Sequence, residues 1–333
     1  MVKSVLSVSP SALYNYAKYK LSAREPKLNF LSYRPILCAL LVTRRCNLSC
    51  PFCIVPPLSQ PEEWRPYEAD RGKVERILDH PAVRRAPFIG LSGGEPLLNE
   101  ELGAIIRLIR QRGHLCGVVT NGILLMNRIR ELKRNDINII NISVYDANIK
   151  KLAAELAAIN NVFRCRTNKI LFSSEVEKNP EKLEEIIRMS RDTGCHGVYF
   201  GNNLSFDTEG PDEIIYDDNE SYREFRIRMT EKYRGFPIYW AAPVKRILSR
   251  QDKKCRMLWY YLSTDMMGNL GLCCGYSTDK QGAYGNLFAK DDTGSWNSVL
   301  KVNMRKIILA DSAEVPGKCR KCSIMCDKWV SDY

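Results

Sequence analysis

ILCALLVTRRCNLSCPFC (residues 36–53) runs an unbroken apolar segment into a loop that carries Cys46, Cys50 and Cys53. The apolar part, residues 36–43, reads as a strand covered on both faces, the pattern of a parallel sheet. The cysteines that follow are separated by three residues and then by two. A structural zinc site wants four closed ligands, usually in two pairs. Here the next cysteine is Cys116. Thiolates equally suit iron–sulfur clusters, and a four-iron cluster held by three thiolates leaves one iron open to a small molecule. A zinc knuckle is the competing reading of the loop alone.

Outward from this stretch, short β-rich runs alternate with helical patterns. Strands are expected at 36–43, 88–93, 115–121, 137–145, 169–174 and 197–203. Helices are expected near 69–79, 101–112, 126–135, 147–160, 180–193 and 219–234. Gly113 and Gly194 follow helical patterns where a left-handed cap is needed. Such repetition gives parallel strands with right-handed crossovers, as a doubly wound sheet or a partial barrel. In both, chemistry sits at the carboxyl ends of the strands. The cysteine loop, SGGEP (92–96) and TNG (120–122) all lie at or just beyond such ends. After residue 236 the rhythm is lost, and Pro237 and Pro243 mark a boundary.

Composition narrows the class. Of 333 residues, 45% are hydrophobic and 26% charged, a globular balance without the signature of disorder. No apolar run reaches the roughly 18 residues of a membrane span, and no signal peptide is evident. The 13 cysteines, odd in number and closely spaced, favour metal over disulfides and a cytoplasmic setting. The net charge of +12 is spread along mixed-charge helices and reads as a solvated basic surface, with no specific nucleic-acid partner expected.

The C-x3-C-x2-C spacing just after a first strand, with Phe52 before the last cysteine, resembles the signature loop of the radical S-adenosylmethionine (SAM) enzymes. That resemblance implies a [4Fe-4S] cluster on Cys46, Cys50 and Cys53 whose open iron binds SAM. Reductive cleavage would then yield a 5′-deoxyadenosyl radical that abstracts a substrate hydrogen atom. It also implies an α/β partial (β/α)6 TIM-type barrel. The glycines of SGGEP, Gly93 and Gly94, permit close backbone approach, and Glu95, followed by Pro96, offers a carboxylate to an ammonium. In the family that motif contacts the methionine amino group. Asn121 and Ser143 stand where the family touches ribose or the methionine carboxylate, although Asn121 also suits a turn.

Cys255 is followed after twelve residues by Gly268 and after four more by Cys273; CRKCSIMC then supplies Cys319, Cys322 and Cys326. The spacing alone indicates a metal site, zinc included. With YGNLF (284–288) and SWNS (295–298), it is similar to the SPASM or twitch extension of radical SAM enzymes, a small α+β iron–sulfur domain. That similarity implies one auxiliary [4Fe-4S] cluster on Cys255, Cys273, Cys319 and Cys322. Cys326 could replace Cys319 or Cys322 as ligand, donate a hydrogen atom or be a bystander, and Cys274 has the same ambiguity; both are candidate hydrogen-atom donors. Cys38, Cys116, Cys165 and Cys195 are expected in the core. The division is residues 1–35 as an N-terminal helix and linker, 36–235 as the barrel, and 236–333 as the auxiliary domain.

An oxidation or epimerisation of a carbohydrate, aminocyclitol or other small intermediate is the expected outcome, with electrons from a flavodoxin- or ferredoxin-type reductant. Only 45 residues precede Cys46, few for a leader-binding domain, so a peptide substrate is the alternative. A non-catalytic, metal-stabilised nucleic-acid binder is the reading from another class. The N-terminal helix is expected to cover an open barrel edge or to graze an anionic membrane surface.

Overall fold

Among the described residues helix α1 (Pro10–Ala23) comes first, and six strand–helix pairs follow. They are β1 (Leu37–Thr43) with α2 (Arg71–Asp79), β2 (Phe88–Gly93) with α3 (Leu102–Gln111), and β3 (Leu115–Thr120) with α4 (Leu125–Arg134). Then come β4 (Ile139–Ser143) with α5 (Ile149–Ala158), β5 (Arg164–Leu171) with α6 (Pro180–Asp192), and β6 (Val198–Asn202) with α7 (Glu220–Lys232). The chain continues through β7 (Ile238–Trp240), β8 (Tyr261–Asp265), β9 (Leu270–Gly271) and α8 (Val299–Leu309). The computed structural model describes residues 8–23, 30–55, 57–145, 149–159, 164–204, 212–253, 255–275, 284–289, 296–310, 312 and 314–326.

The chain falls into two compact units. The first comprises Met1–Thr120, Asn127–Asn138 and Arg256–Leu309. Its strands run in the order β3-β2-β1-β8-β9, all parallel except β9, with Leu40 of β1 flanked by Leu91 of β2 and Thr264 of β8. Six of the seven residues of β1 are buried, which is why its sequence is apolar without alternation. On α3, Leu102, Ile105, Ile106 and Ile109 recur at helical spacing and are buried, so that one apolar stripe faces the core.

The second unit comprises Asn121–Met126, Ile139–Cys255 and Ala310–Tyr333, with strands β7-β6-β5-β4, all parallel. Its α6 buries Leu183, Ile186 and Ile187 in the same manner. Gly113 and Gly194 take φ of 78° and 76° and close α3 and α6 as expected.

Two elements differ from the sequence reading. The fifth strand begins at Arg164 and ends at Leu171, five residues earlier than expected at its start. Its charged residues hide an alternation of buried and half-exposed positions, and buried Lys169 is neutralised by Glu175 at 2.6 Å. Ser173 meanwhile starts a short helix, Ser173–Lys178, where the strand was expected to continue. The stretch after 236 is also more regular than its sequence suggests, since β7 extends the second unit's sheet and β8 pairs in parallel with β1.

Helix α1 is tied to the chain at the amino ends of β1 and β2. Buried Asn15 donates through Nδ2 to the carbonyls of Arg34 at 3.1 Å, Pro35 at 3.3 Å and Arg85 at 3.1 Å, and its Oδ1 accepts from Arg34 N–H at 2.7 Å. Among the described residues no helix is long and apolar enough to cross a membrane.

Candidate active site at the cysteine loop

The loop leaves the carboxyl end of β1 and is held at its root. Thr43 is fully buried; its hydroxyl donates to Glu68 Oε2 at 2.6 Å and accepts from Arg45 N–H at 3.0 Å. Arg45 pairs with Glu68 at 2.7 Å and lies over the Trp64 ring at 4.6 Å, while Asn99 Nδ2 donates to the same carboxylate at 3.0 Å. A carboxylate with three donors is a rigid anchor. Leu58 N–H donates to Arg44 O at 3.0 Å and brings the far side of the loop back to its start.

SGGEP docks against that root. Gly94 N–H donates to Thr43 O at 2.9 Å, and Glu95 N–H donates to Arg45 O at 2.7 Å. A Cβ on Gly93 would stand 2.3 Å from Thr43 O, and one on Gly94 only 2.0 Å from Arg45 O. The close approach that these glycines permit is therefore to the cysteine loop's own backbone. Glu95 is 1% exposed, and its Oε1 accepts from Leu97 N–H at 2.9 Å and from Thr120 Oγ1 at 2.8 Å. Pro96, also buried, opens the turn Pro96–Leu98 that aims Leu97 N–H at the carboxylate.

Cys46, Cys50 and Cys53 are free and half-buried. Leu48 N–H donates to Cys46 Sγ at 3.4 Å, Cys53 N–H donates to Cys50 O at 3.1 Å, and the Cys53 thiol donates to Val55 O at 3.1 Å. Burial, then the nearby charges of Glu95, Cys53 and Cys50, hold the Cys46 thiol above its ordinary range, against the lowering effect of Leu48 N–H. Burial likewise raises Cys53, with Cys50 adding to it. Two thiols held above their ordinary range, with Cys50 between them and a buried carboxylate beside Cys46, are a site that a cationic iron core would relieve. Among the described residues no three His, Cys, Asp or Glu side chains converge as on a single ion. Thiolates of a cluster bind different irons and need not converge on one point. Phe52 is half-buried within the same loop.

Asn121 and Ser143 belong to the second unit. Asn121 is buried and its Oδ1 accepts from Ile123 N–H at 3.0 Å, so it does cap the turn; Ser143 ends β4, in register with Asn168.

Of the C-terminal cysteines, Cys273 lies in the first unit, beside half-buried Cys274, and Cys255, Cys319, Cys322 and Cys326 lie in the second. All are half-buried, with Cys322 N–H donating to Cys319 O at 3.3 Å. Gly268, with φ of 82°, turns β8 into β9, and a Cβ there would meet the Phe288 ring at 2.6 Å. The expected C-x12-G-x4-C and YGNLF elements thus pack on one another. Ser295 of SWNS lies outside the described residues. Cys38, Cys116, Cys165 and Cys195 are buried as expected, and burial pushes the first three up to about 12.

Sequence reasoning missed Thr43, Arg45, Glu68 and Thr120. The TRR preceding Cys46 was a usable signal for the first two. Nothing local marks Glu68, which is 22 residues downstream of Cys46.

Comparison with known proteins agrees with this geometry. The sequence model of the Radical SAM superfamily matches residues 40–215, just over half of the chain. The chain is 32% identical over 110 residues to the 7,8-dihydro-6-hydroxymethylpterin dimethyltransferase of Methanocaldococcus jannaschii, a match covering 32% of this chain and 21% of that protein. It is 34% identical over 122 residues to the GTP 3′,8-cyclase of Aquifex aeolicus, covering 33% of this chain and 35% of the cyclase. The chain therefore spans well under half the length of these relatives. Among solved structures, Streptococcus suis SuiB bound to the precursor peptide SuiA superposes with a TM-score of 0.66, covering 94% of this chain and 74% of SuiB at 15% identity. At that identity the likeness is one of fold, and the α/β partial (β/α)6-barrel class expected from the sequence stands.

Proposed function

Because the chain belongs to the radical SAM superfamily, we propose that Cys46, Cys50 and Cys53 hold a [4Fe-4S] cluster and that SAM binds beside it. The observation that carries this reading is the docking of Gly94 and Glu95 on the root of the cysteine loop, through Thr43 O and Arg45 O. It sets a buried carboxylate within electrostatic reach of Cys46. When bound, the cluster supplies the electron that cleaves SAM to methionine and a 5′-deoxyadenosyl radical, which takes a hydrogen atom from substrate. Glu95 would receive the methionine ammonium, oriented by Thr120 and Leu97 N–H; Gly93 and Pro96 shape that turn, and Phe52 would shield the cluster from water. Asn121 and Ser143 are assigned to ribose and the methionine carboxylate.

The reaction proposed is oxidation or epimerisation of a carbohydrate, aminocyclitol or other small biosynthetic intermediate in the cytoplasm, with a flavodoxin- or ferredoxin-type reductant. The segment from residue 236 would serve as an auxiliary domain with a second [4Fe-4S] cluster on Cys255, Cys273, Cys319 and Cys322, and Cys326 or Cys274 as hydrogen-atom donor. The donor set is four half-buried thiols, the soft ligands that iron–sulfur clusters use. Peptide modification is the second reading, favoured by the match over 94% of the chain to a protein solved with a precursor peptide.

Replacing Cys46, Cys50 and Cys53 together with alanine is expected to abolish 5′-deoxyadenosine formation in anaerobic assays with a strong reductant. Retained cleavage would reject the assignment of the initiating cluster. Mass spectrometry of small-molecule extracts and of candidate precursor peptides, each incubated with enzyme and SAM, separates the two substrate classes.

A further inference from the structure

Glu68, just upstream of α2, bonds through its side chain to two other stretches of the first unit. Its Oε2 accepts from Thr43 Oγ1 at 2.6 Å and from Arg45 Nε at 3.3 Å. Its Oε1 accepts from Arg45 Nη2 at 2.7 Å and from Asn99 Nδ2 at 3.0 Å. Thr43 and Arg45 form the root of the cysteine loop, and Asn99 ends the turn that follows SGGEP. The two donors extend the link. Arg45 Nη2 also donates to Leu98 O at 3.0 Å, and Asn99 Nδ2 to Ala69 O at 2.9 Å.

The turn is gripped separately from another side. Arg128 Nη1, on α4, donates to Leu97 O at 2.8 Å and to Asn99 O at 3.0 Å, and its guanidinium is paired with Glu131. The turn is thereby fixed to α4, and the Glu68 carboxylate ties the loop root to it. The side chains of Arg45 and Glu68 are 28% and 21% exposed, so water and salt screen this pair only in part.

We propose that Glu68 is a positioning residue for SAM, holding the cysteine loop against the SGGEP turn so that a ligand touching both finds them correctly spaced. The proposal rests on the reading of Cys46, Cys50 and Cys53 as cluster ligands and of Glu95 as the ammonium acceptor. Those three cysteines lie on one short loop, which can carry a cluster as a single body. SAM would bridge that body and Glu95, so its binding depends on how loop and turn are held relative to each other. Misplacement by about 1 Å in such an arrangement costs on the order of 100-fold in rate. Glutamine at 68 loses the charge that holds Arg45 and turns an amide donor toward groups that are themselves donors.

The test uses the full chain, reconstituted anaerobically with iron and sulfide. SAM binding is measured by equilibrium dialysis against the unreduced protein and expressed per iron-loaded molecule. Glu68→Gln is expected to keep the parent iron content and to weaken SAM binding by about tenfold or more. Glu68→Asp keeps the charge but is one methylene shorter, and an intermediate loss is expected. A dissociation constant equal to the parent's in iron-loaded Glu68→Gln overturns the proposal.

Loss of iron from both variants also overturns it, since Glu68 would then support the cluster itself. If only Glu68→Gln loses its iron, the aspartate variant decides, and parent-like SAM binding there overturns the proposal. A parent chain that holds no iron, or holds iron and binds no SAM, rejects the reading of the site and the role of Glu68 with it. That result is distinct from a parent that binds SAM with an affinity indifferent to residue 68.

Discussion

Gly94 shows how a single missing side chain sets the candidate site. Its reading from sequence was close backbone approach to a ligand, and the backbone it meets is that of Arg45, whose carbonyl a Cβ would reach at 2.0 Å. A carbonyl oxygen in a loop already pinned by Glu95 N–H cannot swing aside as the end of a side chain does. Gly94→Ala is therefore expected to displace the loop, to cost about 3 kcal/mol in denaturant unfolding, and to lose most of the iron of the first cluster. Iron content and unfolding midpoints equal to wild type would show that the docking carries no weight.

At the scale of elements, α1 acts as a base plate. One asparagine ties it to the chain just before β1 and just before β2, through Arg34 N–H and the Arg34, Pro35 and Arg85 carbonyls. These groups enter the sheet at the end opposite the cysteine loop, so they bear on stability and not on chemistry. Asn15→Ala leaves buried carbonyls without donors, and a loss of about 3 kcal/mol in unfolding free energy is expected. Cleavage of SAM per folded, iron-loaded molecule should stay at the wild-type level; a comparable fall in that specific rate would place α1 in the catalytic machinery.

For the whole molecule, the net charge of +12 has a kinetic consequence. A basic protein attracts an acidic electron donor over distances comparable to the Debye length, and salt removes that attraction. The second-order rate of reduction by an acidic flavodoxin should fall by about tenfold or more between low and physiological salt. Reduction by a neutral photoreductant should change little. Equal salt responses for the two donors would mean that the basic surface does not guide the reductant.

Residues 36–53, with the GGE that follows the next strand, determined much of this protein. An apolar run closed by three cysteines at gaps of three and two, then GGE after the next strand, carried the barrel class and the superfamily and pointed to the candidate site, because strand period and ligand spacing are local properties of a chain. The alternating fifth strand was less legible, since the charge of buried Lys169 is compensated by Glu175, which lies beyond the strand. Glu68 beneath Arg45, Thr120 on Glu95 and β8 alongside β1 were decided by tertiary structure alone. Each depends on what another segment brings to within about 3–5 Å. The partners of a buried polar or charged group come from distant segments, so its electrostatic neighbourhood is a property of the folded chain and leaves no mark on the group's own local sequence.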